Sequence, residues 1–272
     1  MQAPRPGRAH KISGVILIGA GFLVQVQWWG AWREGGWQVS VLVSLLGVLI
    51  SCLGAFLVYR GRQYATKADA ERTVTDSYPH VLYLRAFRSD ESTRGYVFAH
   101  TVMNPWALPT LEERLADALR PLGYLVAVGQ PGEGLPKPGA ARIYASDDEW
   151  KEVVRRQMQA ALLVIIRAGV GENLLWEAKE AIETLNPQKV LIFVFGMKAK
   201  HYESFRTRVT QILDVSLPED AALRPRFGRV SGFIGFDTDW KPIVFRFSAS
   251  YSTWNLKLAL RPVFERFGLK FG

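Results

Sequence analysis

Two carboxylates stand three residues apart just after a tryptophan in the segment 172–182, ENLLWEAKEAI, where Glu177 and Glu180 follow Trp176. A glutamate near the start of a helix that follows an apolar strand is placed to hydrogen-bond the hydroxyls of a ligand lying over the strand's carboxyl end. At 100° per residue, Leu174, Ala178, Ala181, Ile182 and Leu185 form the buried stripe of this helix. Glu177 falls on the flank of that stripe, beside Trp176, and Glu180 further round toward solvent. Glu177 is therefore the better placed of the two to touch a ligand. The same positions also suit ordinary boundary glutamates, which the helix dipole favours near an N-terminus.

A second concentration of reactive side chains follows the apolar run Val81–Leu84: Arg85, Arg88, Asp90, Glu91 and Arg94. In open α/β sheets ligands lie outside the carboxyl ends of the strands. Charge at that place suits a polar or anionic ligand, with Arg85, Phe87, Arg88 and Asp90 as candidate contacts; a solvated loop whose charges pair with one another is the alternative. The segment 129–144, GQPGEGLPKPGAARIY, is long and rich in Gly and Pro, and offers Gly132 and Gly134. It is no dinucleotide fingerprint, because a third glycine after that pair would fall at residue 137, a lysine, and no Gly-Lys-Ser/Thr follows to make a P-loop. A long loop of this kind suits a lid or an interface, with simple length variation as the alternative. One cysteine, Cys52, and four scattered histidines leave no residues at metal-ligand spacing, so neither a metal site nor a disulfide framework is expected.

The elements that must position these residues alternate. VLYLRAF, YLVAVG, ALLVIIRAG, KVLIFVFG and GFIGFDTDWKPIVFRF read as five strands, the last able to form a hairpin around Asp237 to Pro242. Between and after them, TLEERLADALRPLG, SDDEWKEVVRRQMQ, ENLLWEAKEAIETLNP, HYESFRTRVTQIL and STWNLKLALRPVFERFG read as helices, with Pro262 kinking or restarting the last. This pattern predicts an α/β domain over 73–272: a flavodoxin-like, mostly parallel five-stranded sheet with helices on both faces.

Residues 1–72 have a different character. Two runs without charge, 12–32 and 38–59, are each long enough to cross about 30 Å of hydrocarbon as a helix. Trp28, Trp29, Trp32 and Trp37 cluster at the short connection between them, as interfacial anchors do. A mean hydropathy of +0.03 agrees with part of the chain lying in lipid. Of the net charge of +9, +5 falls in residues 1–72, where Arg5, Arg8 and Lys11 precede the first run and Arg60, Arg62, Lys67 and Arg72 follow the second. Positive charge on both outer flanks predicts a multi-pass anchor in the cell membrane with both termini cytoplasmic. Ser40, Ser44, Gly47, Ser51 and Gly54 form a small-residue stripe that admits a close helix, either the first run or another protomer. The remaining 200 residues hold no basic block with interleaved aromatics, so nucleic acid is not an expected partner.

Three stretches together resemble a Toll/interleukin-receptor-like (TIR) domain. YLRAFRSDESTR is similar to the family's first-strand motif, with Phe87, Arg88, Asp90, Thr93 and Arg94 fitting loosely. The loop at 129–144 stands where that family has its assembly and gating loop. ENLLWEAKEAI resembles the third-helix motif, in which a tryptophan precedes the glutamate of members that cleave NAD; residue 174 is Leu where the family has Ser. Spacing in many members selects Glu180, whereas the register of the buried stripe favours Glu177. The resemblance implies a membrane-anchored, oligomerising effector in signalling or defence. NAD or a related nucleotide would be its substrate rather than a bound cofactor, held through Arg85 or Arg88. A non-enzymatic signalling or adaptor module is the alternative, and a nucleoside-transferring enzyme using the same glutamate a third.

Overall fold

Glycines recur every seven residues in and just beside the two apolar runs, at Gly7, Gly14 and Gly21 and again at Gly47, Gly54 and Gly61. The computed structural model describes residues 7–26, 36–76, 78–85, 109–129, 138–146, 148–169, 171–213, 215–223, 229–246 and 252–269. Its contacts divide the chain into two units, one of Met1–Ala68 with Thr93–Thr110 and Leu135–Pro138, the other of Asp69–Ser92, Leu111–Gly134 and Gly139–Gly272.

In the first unit, helix α1 (Arg8–Val26) lies antiparallel to α2 (Gly36–Asp76), and the glycines meet in pairs: Gly7 with Gly61, Gly14 with Gly54, Gly21 with Gly47. A Cβ on Gly14 would lie 2.5 Å from the Gly54 carbonyl oxygen, and one on Gly54 would lie 2.6 Å from the Gly14 oxygen. Only a hydrogen fits there. The small-residue stripe of α2 thus takes the first helix as its partner. The pair is inside-out relative to soluble helices: Ser40, Ser51, Gln63 and Thr66 are buried, while Ile16, Leu23, Leu42, Leu49 and Phe56 are exposed. Both helices are long and apolar enough to cross a membrane. Their bounds differ from the expected runs. Helix α1 begins at Arg8, and α2 continues past Tyr59 to Asp76, because ATKADAER is built mostly of good helix formers.

The second unit contains β1 (His80–Leu84), α3 (Leu111–Leu119), β2 (Tyr124–Gly129), β3 (Ala141–Tyr144), α4 (Trp150–Ala160), β4 (Leu163–Arg167), α5 (Glu172–Thr184), β5 (Val190–Lys198), α6 (Ala199–Leu213), β6 (Arg229–Phe236), β7 (Pro242–Phe245), α7 (Thr253–Ala259) and α8 (Arg261–Arg266). The strands form one sheet in the order β3-β2-β1-β4-β5-β6-β7. Pairing is parallel from β3 to β5 and antiparallel from β5 through β7.

The expected five-stranded, mostly parallel sheet is therefore corrected to a mixed sheet of seven strands. Two features were hidden. Strand β3 lies inside the Gly/Pro-rich segment, and its four residues include an arginine and carry no run of branched aliphatics. Strand β6 begins opposite the carboxyl end of β5, Arg229 against Lys198, so it must run backwards along it. An apolar run carries no sign of its direction. The hairpin to β7 turns at Asp237, whose carboxylate accepts from the N–H groups of Asp239 (2.8 Å) and Lys241 (2.9 Å).

The sheet is buried on both faces, so its strands read as continuous apolar runs. On one face Leu82, Leu84, Val164, Ile166 and Ile192 pack against α4, α5 and α6. On the other, Val81, Tyr83, Leu163, Ile165 and Phe193 pack against α3, α7 and α8. Each fully buried aliphatic side chain stabilises the domain by about 1.5–3 kcal/mol. Pro262 restarts rather than kinks the last helix: Leu260 ends α7, and the proline stands in the first turn of α8, where no intrahelical N–H is needed.

The glycine seam makes a direct prediction. Gly54→Leu should overpack the α1–α2 contact by about 1–3 kcal/mol and lower the thermal melting point of the detergent-solubilised chain by several degrees. Gly19→Leu, at a position with nothing within 4 Å of an added Cβ, should leave it unchanged.

Candidate functional site

Helix α5 starts at Glu172, shortly after β4 ends at Arg167, from a Gly171 N-cap in extended conformation (φ −73°, ψ 141°). Apolar residues at Leu174, Leu175, Ala178 and Ala181 press it onto the sheet, and this register carries Glu177 inward with them. Glu177 is 8% exposed and has no hydrogen-bond or ion-pair partner among the described residues. Burial alone pushes its carboxyl up to about 8, so at pH 7 it is mostly protonated and neutral.

Glu180 is engaged elsewhere. Both its oxygens accept from Arg155, from Nε at 2.9 Å and Nη2 at 3.2 Å. The side chain is only 15% exposed beneath that guanidinium, which corrects the expectation that it turns to solvent. Arg155 and Lys151 also lie over the Trp176 ring, 5.4 and 5.3 Å from its centroid, and Trp150 meets the same ring edge-on at 4.8 Å. Trp176 is thus one member of a cation–aromatic group with Glu180.

Arg85 leaves β1 on the other face of the sheet. Its Nε lies 3.6 Å from Oε2 of Glu112, a first-turn residue of α3. Oε1 of Glu112 accepts from Nη2 of Arg142 on β3 (2.7 Å) and from the backbone N–H of Ala140 (3.0 Å). Gly139 admits this close approach: at φ +132°, a Cβ there would meet Glu112 Cγ at 2.7 Å. Arg142 is 3% exposed, its Nη1 donates to the Ala140 carbonyl, and its Nε has no partner among the described residues. Tyr83, on the same face, is held near Arg167 at the end of β4, whose guanidinium hydrogen-bonds the phenol. Burial raises the Tyr83 hydroxyl above its ordinary value, against the pull of Arg167 and Arg85.

The structure therefore brings Arg85 together with Tyr83, Glu112, Arg142 and Arg167, and brings Trp176 together with Glu180. It does not bring Arg85 and Glu177 onto one face, since α3 and α5 cover opposite sides of the sheet. Phe87, Arg88, Asp90, Gly132 and Gly134 lie outside the described residues. Sequence reasoning missed Tyr83, Glu112, Arg142 and Arg167. The available signal was a charged residue closing or interrupting a strand, Arg167 after LVII and Arg142 within ARIY. A groove of about 400 Å³ lies at the opposite, amino edge of the sheet, lined by Tyr78, Arg120, Tyr124 and Phe267 among others, and does not include Glu177. No group of three or more His, Cys, Asp or Glu side chains placed to hold a metal ion occurs among the described residues.

The buried carboxyl sets a pH dependence whose sign is fixed. Between about 4.5, where the unfolded chain loses this proton, and about 8, where the folded chain does, unfolding releases a proton. Stability therefore falls as pH rises through that window, by on the order of 1 kcal/mol per unit. Glu177→Gln, which mimics the neutral form, should remove this slope. In melts followed by tryptophan fluorescence, it should match the parent at pH 5 and melt several degrees higher at pH 8.5. Comparison of the chain with protein-family models, with curated proteins and with solved structures finds no match in any of the three.

Proposed function

We propose that the chain is a membrane-anchored, TIR-like α/β protein that hydrolyses the nicotinamide–ribose bond of NAD through Glu177. The observation that carries this reading is the buried, unpartnered carboxyl of Glu177 on the helix that follows the central strand β4. A carboxyl group largely withdrawn from water without a compensating hydrogen bond is a burden on the fold, and such groups concentrate at functional sites. A cationic nicotinamide, or the oxocarbenium-like ring formed as its bond breaks, would favour the ionised form that burial disfavours, so substrate and carboxylate would stabilise each other. In the reaction the ribose C1′–N bond breaks, nicotinamide leaves with the bonding electron pair, and water supplies the hydroxyl of ADP-ribose and releases a proton. The parallel strands run in the order β3-β2-β1-β4-β5, an order of doubly wound nucleotide-binding sheets, which supports a nucleotide ligand without favouring the TIR likeness.

In the same reading α1 and α2 are membrane spans. The inside-out burial of the helix pair, Gly and Ser at the seam and Leu, Ile and Phe outside, supports this. Lys and Arg on both outer flanks favour cytoplasmic termini. Clustering of anchored copies would then bring domains together.

A second reading, a tethered adaptor without enzymatic activity, draws support from the engagement of Trp176 and Glu180 with Arg155 rather than with an open cleft. One experiment separates the two. Detergent-purified chain, free and clustered on lipid vesicles, is incubated with NAD and nicotinamide release is followed. Hydrolysis predicts release that Glu177→Gln lowers about 100-fold or more, while Glu180→Ala lowers it less. Its rate should rise with pH through about 8, as the carboxyl ionises. Absence of release from clustered protein, or release indifferent to Glu177→Gln, would leave the adaptor reading.

A further inference from the structure

Positive charge gathers at one end of the α1–α2 pair, where Gly7 meets Gly61. Residues 7–26 and 36–68 hold five basic side chains, Arg8, Lys11, Arg60, Arg62 and Lys67, and no Asp or Glu. The glycine contact draws the charges of the two helices to one level. A Cβ on Gly7 would overlap the Gly61 carbonyl oxygen, and one on Gly61 would lie 2.8 Å from Cγ of Lys11. Arg8 and Lys11 of α1 therefore stand at the height of Arg60, the neighbour of Gly61 on α2. The side chains of Arg8 and Lys11 have no hydrogen-bond or ion-pair partner among the described residues. Arg60 lies over the Phe56 ring, 5.5 Å from its centroid. Like charges held this near repel one another unless an anion joins them.

The same end is where the apolar surface of the pair stops. Large outward-facing apolar side chains run to Ile12 on α1 and Phe56 on α2. Beyond Phe56, as far as Ala68, Tyr59 and Tyr64 are the only large apolar residues exposed among the described residues. The Tyr64 ring meets that of His10, 5.2 Å between centroids. Hydrocarbon, phenol and cation thus follow one another within about two turns. That is the order in which acyl chains give way to headgroups at a bilayer interface. The basic side chains are spread over two helices, exposed at Arg8 and half-buried at Lys11 and Arg60. Charge arranged round a rod matches a layer of anions better than a single bound molecule.

We infer that Arg8, Lys11 and Arg60 form a collar that docks on anionic phospholipid headgroups, so that the helix pair selects a negatively charged leaflet over a zwitterionic one. The inference rests on the reading of α1 and α2 as membrane spans and on nothing in the α/β unit. Guanidinium and ammonium groups suit phosphate oxygens, and basic residues beside a span are drawn to anionic lipid. The lipid charge offsets the repulsion that the Gly7–Gly61 contact creates, and the two tyrosines fix the depth at which the collar sits.

The test uses the full chain in phosphatidylcholine vesicles with a trace of spin-labelled phosphatidylglycerol or spin-labelled phosphatidylcholine. Electron spin resonance reads the share of each label slowed by the protein. Phosphatidylglycerol is expected to associate about fivefold more strongly than phosphatidylcholine. Potassium chloride at about 1 M, where the screening length is about 3 Å, should bring that ratio toward one. Arg8→Gln, Lys11→Gln and Arg60→Gln together should do the same at low salt. Arg8→Lys with Arg60→Lys, which keeps the charge, should retain the preference, as should Lys200→Gln with Lys241→Gln, outside the helix pair. Equal association of the two lipids, or a preference unchanged by the triple substitution, would overturn the inference. So would displacement of phosphatidylglycerol by millimolar glycerol phosphate, the mark of a site for soluble anions. Alkaline extraction separates two kinds of failure. A chain released from the vesicles does not span them, and both readings fall; a chain retained with a ratio of one overturns the lipid inference alone.

Discussion

One carboxylate, Glu112, ties together the elements on which the carboxyl edge of the sheet depends. It meets Arg85 as β1 ends, Arg142 on the edge strand β3, and the backbone N–H of Ala140 at the entrance to that strand. Strand β3 is only four residues long and pairs on one side alone, so ladder hydrogen bonds give it little hold. Two further attachments through Glu112 fix it against α3. The arrangement has the asymmetry of buried ion pairs generally: removing one partner strands the rest in a poorly solvated place and costs about 3–5 kcal/mol, far more than the intact group contributes. Arg142 keeps one N–H with no acceptor among the described residues.

The second carboxyl group, Glu177, follows the opposite logic. Among the described residues nothing charged offsets its burial, so the fold keeps it neutral. Three residues on, Glu180 is stabilised by Arg155 in a two-pronged pair. Two glutamates on one helix thus meet opposite environments, Glu177 among Leu174, Leu175 and Ala178, and Glu180 under a guanidinium. A difference of that kind separates a group available to respond to a ligand from one already committed to structure.

Much of this was legible in the sequence where physics is periodic. The buried stripe of α5, the apolar strands β1, β4 and β5, and the restart at Pro262 follow from spacing and from proline's missing N–H. Glu177 at the inner flank of its helix follows from the same angular arithmetic. Direction and short range were not legible. Nothing in RVSGFIGF says that β6 runs against β5 rather than with it, and ARIY is too short to announce a strand. The Arg85–Glu112–Arg142 group joins residues up to 57 positions apart in sequence, and pairings of that kind depend on strand order rather than on any local pattern. Glu180 was placed toward water because a helix wheel shows one helix only, whereas Arg155 comes from the neighbouring α4.

The seven-residue spacing of the glycines on α1 and α2 has a consequence for how this hairpin can change. A straight α-helix falls about 20° out of phase with a seven-residue repeat at each period, so keeping all three pairs in contact obliges the helices to wind gently round each other. A single residue inserted between Gly14 and Gly21 would turn everything beyond it by about 100° and bring a bulky side chain where only hydrogen fits. Substitutions among the outward leucines and valines meet no such obstacle. The hairpin is therefore tolerant of exchange on its outer surface and intolerant of any change in length along its seam.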